Sequence, residues 1–325
     1  MSEIGIGLIG LGRHGLRYAT HLLEGAVPGA RLAAVCRRDR AAGTDFARRQ
    51  GIRFHASTEA LVADPHVQAV IVVTPPARTL SIAREAVRHG KALLIEKPLA
   101  CTGSDSAAIV AATSAARVPL MVAQTLRFDT SVQALREELS TVGTLRYLTL
   151  TNRVEPRPEV VADIEGYGGR GVLLEIGIHL LDLIRYVTGE EVAEVRCEID
   201  QMERDRPESR ASALLRTTGG VTCLLDVSRL SGGRVSRAEV VGSRGQLLAD
   251  WIGHRLTRVQ SRDETVTRQT LHQPTIVATV TAFVEALRQG RPMPIAGLDG
   301  QRAVEIAEAC YESATTGQWT RVTKT

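Results

Sequence analysis

The chain has 325 residues, 44% of them hydrophobic and 23% charged, and its formal net charge is +4. This composition is typical of a globular protein with a sizeable core, and the length predicts two domains. With 3% aromatic residues, a base-stacking surface for nucleic acid is not expected. No apolar run approaches the ~18 residues of a membrane span. The scattered cysteines form no CxxC pair and no signal peptide precedes the first strand, which favours a cytoplasmic protein without disulfides or a zinc site.

The first third of the chain alternates between apolar strands and helical patterns. Strands are predicted at residues 4–9, 31–36, 69–74 and 92–95. Continuous apolar strands separated by helices are typical of a parallel sheet that is covered on both faces. We therefore expect an N-terminal Rossmann domain over residues 1–123, with a doubly wound parallel sheet that binds ligands at the carboxyl ends of its strands.

A glycine-rich segment directly follows the first strand and opens a helix, which is the context that a dinucleotide-binding GxGxxG motif requires. The glycines permit a tight turn and a close approach to a pyrophosphate, and the helix N-terminus supplies N–H donors. The alternative is a glycine turn without a ligand. The residues of this predicted cofactor-binding segment are Gly10, Leu11, Gly12, Arg13, His14 and Gly15.

The end of the second strand bears on the choice between NAD and NADP. An NAD site usually places an acid there, about 20 residues after the glycine motif, to bind the ribose hydroxyls. This chain has Arg37 at that position and Arg38 next, while Asp39 comes one position too late. Two guanidinium groups can pair with the 2′-phosphate of NADP. The alternative is a pair of ordinary surface arginines in an arginine-rich chain.

The strand at 92–95 ends in Glu96-Lys97-Pro98, an unusual way to finish a strand. Proline cannot donate to a sheet ladder, and it restricts the backbone of the lysine before it. Lys97 is one of only three lysines in the chain. A solvated strand exit is the plain alternative, but the carboxyl end of a parallel strand is also where reactive groups of such sheets lie.

In the second half the pattern changes to strands that alternate polar and apolar residues. A helix capped by Asp129 comes first, and Thr218-Gly219-Gly220 predicts a hairpin turn between two later strands. We expect a C-terminal α+β domain over residues 124–325, with a mostly antiparallel sheet that is covered by helices on one face.

One predicted helix carries Glu175, His179 and Asp182 at i, i+4 and i+7, so the three side chains should share a face. A solvated face, a metal site and an acid–base histidine held by carboxylates are the three interpretations. The surrounding leucines argue against the first, and the lack of a second histidine or cysteine cluster argues against the metal site. We therefore expect no metal and assign proton transfer to His179.

Together, GLGRHG (10–15), IEKPLA (95–100), TLRF (125–128) and GGRGVLLEIGIHLLD (168–182) resemble the glucose–fructose oxidoreductase / inositol dehydrogenase (Gfo/Idh/MocA) family, over the whole chain. The resemblance implies a Rossmann domain joined to a C-terminal domain built on a large open sheet. It implies NAD(P)-dependent hydride transfer to or from a carbinol or ketone carbon of a sugar, inositol or related polyol. It also implies that Lys97 lies between nicotinamide and substrate, beside a proline that is commonly cis.

On this basis Lys97, His179 and Glu175 are the catalytic candidates. His179 would donate and accept the proton, Lys97 would polarise the oxygen or take over the proton, and Glu175 would orient either group. Substrate contacts are expected from Arg127, His179 and Asp182, with a structural salt bridge as the alternative for Arg127. Besides the glycine-rich segment, the predicted cofactor-binding residues are Arg37, Arg38, Thr74, Pro75, Glu96 and Lys97.

Two positions depart from the family's pattern. The family usually has aspartate where this chain has Glu175, and often has TPN…H where this chain has Thr74-Pro75-Pro76. The alternative to an enzyme is therefore a cofactor-binding sensor or regulatory protein without turnover, although Lys97 and His179 together favour an enzyme. We expect NADP as cofactor with NAD possible, a small-molecule substrate, no nucleic-acid or membrane partner, and a homodimer or homotetramer, because an uncovered sheet face must meet something.

Overall fold

The computed structural model describes residues 3–156, 165–201 and 206–324. Within them the chain forms two compact units, each with its own sheet. One unit comprises Met1–Gln124 and Pro274–Gln301, and the other comprises Thr125–Gln273 and Arg302–Thr325.

The first unit contains a six-stranded parallel sheet in the order β3-β2-β1-β4-β5-β6, which confirms the predicted doubly wound Rossmann architecture. The central strands at residues 4–9, 69–72 and 92–96 are almost fully buried because helices cover both faces of the sheet, as their continuous apolar sequences predict. The strands are β1 Ile4–Ile9, β2 Ala30–Cys36, β3 Arg53–His55, β4 Ala69–Val72, β5 Ala92–Glu96 and β6 Leu120–Ala123, and the helices are α1 Arg13–Leu23, α2 Arg40–Gln50, α3 Thr58–Ala63, α4 Thr79–Arg88 and α5 Gly103–Ala115.

The second unit contains a nine-stranded sheet in the order β14-β13-β12-β11-β7-β10-β9-β8-β15. All neighbouring pairs are antiparallel except β10 with β7, so the prediction of a mostly antiparallel sheet is confirmed. The strands are β7 Leu145–Arg153, β8 Val192–Asp200, β9 Arg210–Thr217, β10 Thr222–Ser228, β11 Val235–Gly242, β12 Gln246–Asp250, β13 Arg255–Val259, β14 Thr265–Gln269 and β15 Thr320–Arg321. Helix α6 Thr130–Glu137 precedes β7, and helix α7 Ile178–Thr188 lies between β7 and β8.

Alternation along these strands gives the nine-stranded sheet one apolar face and one mixed face. Leu148 and Leu150 of β7 are fully buried in the core of the unit, together with residues of α6 and α7. Tyr147 and Thr149, which point the other way, are half-buried. The predicted hairpin joins β9 to β10 around Gly220, whose positive φ of 88° suits glycine.

The last two helices are α8 Thr275–Gln289 and α9 Gly297–Thr316, and most of α9 lies in the second unit. Residues 274–301 were expected to lie in the second domain, but they pack with the first unit. The Val122 N–H donates to the Ile295 carbonyl at 3.2 Å, and Met121 forms a bridge with Ala296. Edge strand β6 thus gains backbone partners from a distant segment, which sequence periodicity does not reveal.

Among the described residues, no helix has the length and apolar character needed to cross a membrane.

Candidate active site

The glycine-rich segment forms a tight turn between β1 and α1. Gly10 has φ +97°, and a Cβ there would lie 2.3 Å from the Val73 carbonyl oxygen. A Cβ on Gly15 would lie 1.9 Å from the Gly10 carbonyl oxygen, so neither position accepts a side chain. At Gly12 an added Cβ would meet nothing within 4 Å, and no described side chain caps the N–H groups that open α1. This arrangement leaves space for a phosphate to approach the N–H donors at the start of α1.

A polar atom at the end of β4 adds to this fit. The Thr74 hydroxyl oxygen is buried and has no hydrogen-bond partner among the described residues. The Thr74 methyl group lies 3.2 Å from the ideal Cβ position of Gly10, which places it beside the glycine turn. Buried polar atoms without partners are rare and costly. The residues of this strand edge therefore fit a dinucleotide with phosphates at the turn and a polar group near Thr74.

The residues that follow β2 are two arginines and an aspartate with different environments. Asp39 caps α2, where its carboxylate accepts from the Ala42 N–H at 3.0 Å. Arg37 is half-buried, with its stem close to Gly43 of α2, and Arg38 is exposed. The acid that comes one position late thus has a local structural role, and two arginines remain at the strand end.

Glu96, the last residue of β5, is bonded to the helix that follows the glycine turn. Its Oε1 accepts from the Tyr18 hydroxyl at 2.5 Å and lies 2.8 Å from Nε2 of His14, while its Oε2 accepts from the Lys97 N–H at 3.1 Å. Glu96, predicted as a cofactor contact, is 7% exposed and is engaged by the protein itself.

The ionisation of Glu96 follows from these neighbours. Burial alone raises its pKa, but the hydrogen bond and positive charge of His14, the charge of Lys97 and the Tyr18 hydroxyl lower the pKa to about 2. Burial, followed by the charge of Glu96, raises the pKa of Tyr18 well above its ordinary value. Glu96 is therefore an anion at neutral pH, adjacent to Lys97.

Lys97 follows Glu96 at the carboxyl end of β5 and is half-buried. The Lys97–Pro98 peptide bond is cis, as the resemblance implied. Beyond it, the Leu99 carbonyl accepts from the Thr79 hydroxyl at 2.6 Å, and the same hydroxyl lies 2.8 Å from the Pro76 carbonyl. The segments that follow β4 and β5, which contain Pro75 and Lys97 respectively, are thus fastened to each other.

In the second unit, the helix predicted to carry three functional residues starts as a π turn, Leu173–Gly177, and continues as α7. Glu175 lies in the π turn, while His179 and Asp182 lie in α7. A π turn contains more residues than an α turn, so Glu175 is rotated relative to the single face that α-helical spacing predicts. π turns occur frequently at functional sites.

Each carboxylate of this segment is held by an arginine. Arg229 donates through Nε to Glu175 Oε2 at 2.6 Å and through Nη2 to the other oxygen. Arg127 donates through Nε and Nη2 to Asp182 at 2.7 and 2.6 Å. Asp182 is 1% exposed, so the structure supports the salt-bridge alternative for Arg127 and gives both of these predicted substrate residues a protein partner. His179 lies between them in sequence and is half-buried.

The start of the π turn is fixed by Glu208, which sequence analysis did not identify. Its carboxylate accepts from the N–H groups of Gly171 and Leu173 at 2.8 and 3.1 Å, and from the Tyr311 hydroxyl at 2.6 Å. Burial raises the pKa of Glu208 and outweighs these three bonds.

Several other contributing residues were also missed. The residues concerned are Tyr18, Arg229 and Gln124. Tyr18 carries a detectable signal, since it lies at i+4 from His14 in the predicted helix. No pattern in the sequence marks Arg229 or Gln124 as part of the site. Gln124 follows β6 and is 1% exposed, with neither amide atom paired among the described residues.

The part of the chain that the structure describes contains no group of three or more histidine, cysteine, aspartate or glutamate residues arranged to hold a metal ion.

Comparison with known proteins agrees with this architecture. A family model described as an oxidoreductase family with an NAD-binding Rossmann fold matches residues 4–124, and the GFO/IDH/MocA C-terminal domain matches residues 132–248. Myo-inositol 2-dehydrogenase of Thermotoga maritima is 28% identical over 95% of both chains. D-apiose dehydrogenase of Paraburkholderia graminis is 29% identical over 90% of this chain and 83% of that protein.

A solved levoglucosan dehydrogenase, in complex with NADH and levoglucosan, has the same fold. It covers 99% of this chain and 100% of its own, with a TM-score of 0.90 at 20% identity. The two matching family models, the parallel sheet with its glycine turn and the mostly antiparallel sheet lead to one conclusion. The chain belongs to the GFO/IDH/MocA family of oxidoreductases.

Proposed function

We propose that this protein is an NADP-preferring dehydrogenase that oxidises a carbinol of a sugar, inositol or related polyol, or reduces the corresponding ketone. The observation that carries the proposal is the bonding of His14, in the first turn of α1 directly after the glycine turn, to Glu96, the residue before Lys97. It links a cradle suited to a pyrophosphate with a half-buried lysine at a strand end. The inositol and apiose dehydrogenases among the relatives support a polyol as substrate.

In this proposal the first unit holds the nucleotide. The helix N–H groups after Gly12 bind the pyrophosphate, Thr74 and Pro75 lie beside it, and Arg37 with Arg38 binds a 2′-phosphate. A bound nicotinamide would accept or supply the hydride at its C4 atom. Glu96 keeps its negative charge and fixes the strand end from which Lys97 extends.

The protein's own contribution to the chemistry is to handle the proton. His179 accepts the proton of the substrate hydroxyl during oxidation and returns it during reduction, because imidazole titrates near neutral pH. Lys97 polarises the same oxygen and is the alternative proton carrier. Glu175, held by Arg229, orients whichever of these two side chains carries the proton. Asp182 positions Arg127 near the start of α6.

One observation argues against the alternative of a sensor without turnover. A sensor needs the glycine turn but has no use for a lysine, a histidine and an anchored carboxylate at the positions where the family places its chemistry.

A screen of the purified protein with NADP and NAD against myo-inositol, scyllo-inositol, D-apiose, levoglucosan and D-glucose tests the proposal. Formation of NADPH at 340 nm with one of them supports it, and tight nucleotide binding without reduction of either nucleotide would contradict it.

We also propose a homodimer or homotetramer formed through the uncovered face of the nine-stranded sheet. Leu214, Leu224 and Leu248 lie on that face and are half-buried, with Glu239 and Thr149 in the same cross-strand row. The leucines at both ends of this row give the mixed face an apolar component, which suits an isologous interface. Light scattering at micromolar concentration should give a multiple of 35.1 kDa, and a single 35.1 kDa species would refute the assembly.

A further inference from the structure

The Glu175–Arg229 pair is built more firmly than an ordinary surface ion pair. The side chains of Arg229 and Glu175 are 11% and 13% exposed. Both carboxylate oxygens accept from the guanidinium, in the planar two-point geometry that arginine alone among the cationic side chains provides. Water competes little at this exposure, so the contact holds the Glu175 side chain in one orientation.

Arg229 is itself anchored at its backbone and at its head. It directly follows β10, and its N–H donates to the Ser209 carbonyl at 2.9 Å. Its Nη1 donates to the Glu155 carbonyl at 3.2 Å. The guanidinium therefore joins the end of β10, the segment after β7 and the π turn.

The backbone of Glu175 is fixed independently. Its N–H donates to the Gly171 carbonyl at 2.9 Å, and Val172 donates to the Glu208 carbonyl at 3.0 Å. The Glu208 carboxylate receives the neighbouring N–H groups, as described above. Four residues before His179, Glu175 is thus held at its carboxylate by Arg229, and its backbone N–H is bonded to Gly171, which Glu208 holds in turn.

Resting on the proposed function, we propose that Arg229 is a positioning residue for the reaction and that it acts through Glu175. Each Glu175 oxygen accepts one guanidinium N–H, so the plane of the carboxylate is fixed by Arg229. A carboxylate retains further lone pairs, which can accept a bond from a reacting group. Arg229 thereby makes Glu175 a fixed anionic acceptor and leaves proton transfer to His179 or Lys97.

This role also accounts for glutamate at position 175. Glutamate reaches one methylene further than the aspartate that is usual there, and in this chain the added reach ends on Arg229. Glu175→Asp should therefore separate the carboxylate from the guanidinium and behave like a mild form of an Arg229 variant.

The test compares Arg229→Met and Arg229→Lys with Arg234→Met as matched control. Arg234 lies five residues further on, and its ion pair with the Glu155 side chain is exposed, at 43% and 41%. We expect Arg229→Met to lower kcat about 10- to 100-fold, because small displacements of aligned groups cost up to about 100-fold. Its nucleotide Kd should stay within about threefold. Arg229→Lys, which retains charge without two-point geometry, should fall between Arg229→Met and wild type, and Arg234→Met should match wild type.

A double-mutant cycle separates positioning from general damage. If Arg229 acts through Glu175, Glu175→Gln/Arg229→Met should lose no more kcat than the worse single variant. If Arg229→Met does not fold, Glu175→Gln/Arg229→Gln, which leaves no unpaired charge, takes its place and should also lose about 10-fold or more in kcat. Wild-type kcat in either folded variant would overturn the inference, as would losses in the cycle that multiply. A wild-type protein that oxidises no polyol would instead refute the proposed function, which is a distinct outcome.

Discussion

Each unit buries a glutamate that accepts a hydrogen bond from a tyrosine, and the two glutamates ionise differently. Tyr18 donates to Glu96 at 2.5 Å, and Tyr311 donates to Glu208 at 2.6 Å. The glutamates are 7% and 5% exposed, so burial favours the protonated form of both. Yet the pKa of Glu96 is lowered to about 2, whereas burial raises that of Glu208 above its ordinary value.

Nearby positive charge makes the difference. Burial raises the pKa of Glu96, and the bond and charge of His14 together with the charge of Lys97 more than reverse this effect. Glu208 is bonded by a hydroxyl and by backbone N–H groups, which offset its burial only in part. The first carboxylate is therefore kept charged beside Lys97, and the second holds the backbone of the π turn.

Lys97→Ala should break this comparison most strongly. It removes the cation next to Glu96 and the proposed polarising group at the reacting oxygen. We expect kcat to fall by about 100-fold or more, the range for loss of a proton-transfer or electrostatic group. Nucleotide titration should show a Kd close to wild type, because the glycine turn is untouched. Unchanged kcat would remove Lys97 from the chemistry.

His179→Asn tests the segment that Glu208 and Arg229 hold. Asparagine preserves some shape and hydrogen bonding but cannot titrate, so kcat should fall about 10- to 100-fold. One limb of the pH profile of kcat should flatten, because that limb reports the acid–base group. A profile with both limbs intact would assign the proton to Lys97 instead. Restoration of activity by zinc after chelation would favour a metal site.

Sequence reasoning succeeded where the signal was local. The glycine turn, the Lys97 strand end and the Asp129 cap each lie within a few residues, and the apolar strands that display them are continuous. It could not find the partners of the second unit, because Glu175 and Arg229 are 54 residues apart and no periodicity links them. The packing of segment 274–301 with the first unit could not be predicted for the same reason, because its contacts with β6 are long-range backbone bonds.

The predicted single face of Glu175, His179 and Asp182 shows a different limit. The i, i+4, i+7 spacing assumes a regular α-helix, and the π turn at Leu173–Gly177 changes the phase before α7 begins. The Glu208 contacts that accompany this turn come from beyond β8. The helical pattern in the sequence therefore identified the helical segment but not the orientation of its first carboxylate.

Arg37→Asp tests the effect of charge at a second strand end, the end of β2. Here the proposed anion is the 2′-phosphate, and the arginine replaces the carboxylate of an NAD site. Each charge-assisted bond contributes about 1.5–3 kcal/mol, and exposure at the strand exit reduces this, so a loss of about tenfold in NADP affinity is expected. NAD affinity should stay or improve. Arg37→Asp/Arg38→Ala is the cleaner variant, and a wild type whose Kd values favour NAD would defeat the assignment.

The smallest expected effect comes from Tyr18→Phe, with Tyr311→Phe as its matched control. Each removes one hydrogen bond to a buried carboxylate and should lower the free energy of unfolding at pH 7 by about 1.5–3 kcal/mol. The pH windows should differ. Glu96 has a depressed folded pKa, so its stabilisation is present above about 4.5 and is lost as pH falls toward about 2. The gap between wild type and Tyr18→Phe should therefore close only within that window.

Glu208 has a raised folded pKa, so its protonated form stabilises the fold and this contribution is lost as pH rises through that pKa. The Tyr311 bond favours the ionised form and acts most at high pH. The gap between wild type and Tyr311→Phe should consequently begin to close above pH 4.5, earlier than for Tyr18→Phe. Urea unfolding of the three proteins at pH 7, 5, 4 and 3 measures both gaps. If the two gaps close over the same pH range, nearby charge does not set these carboxylates apart.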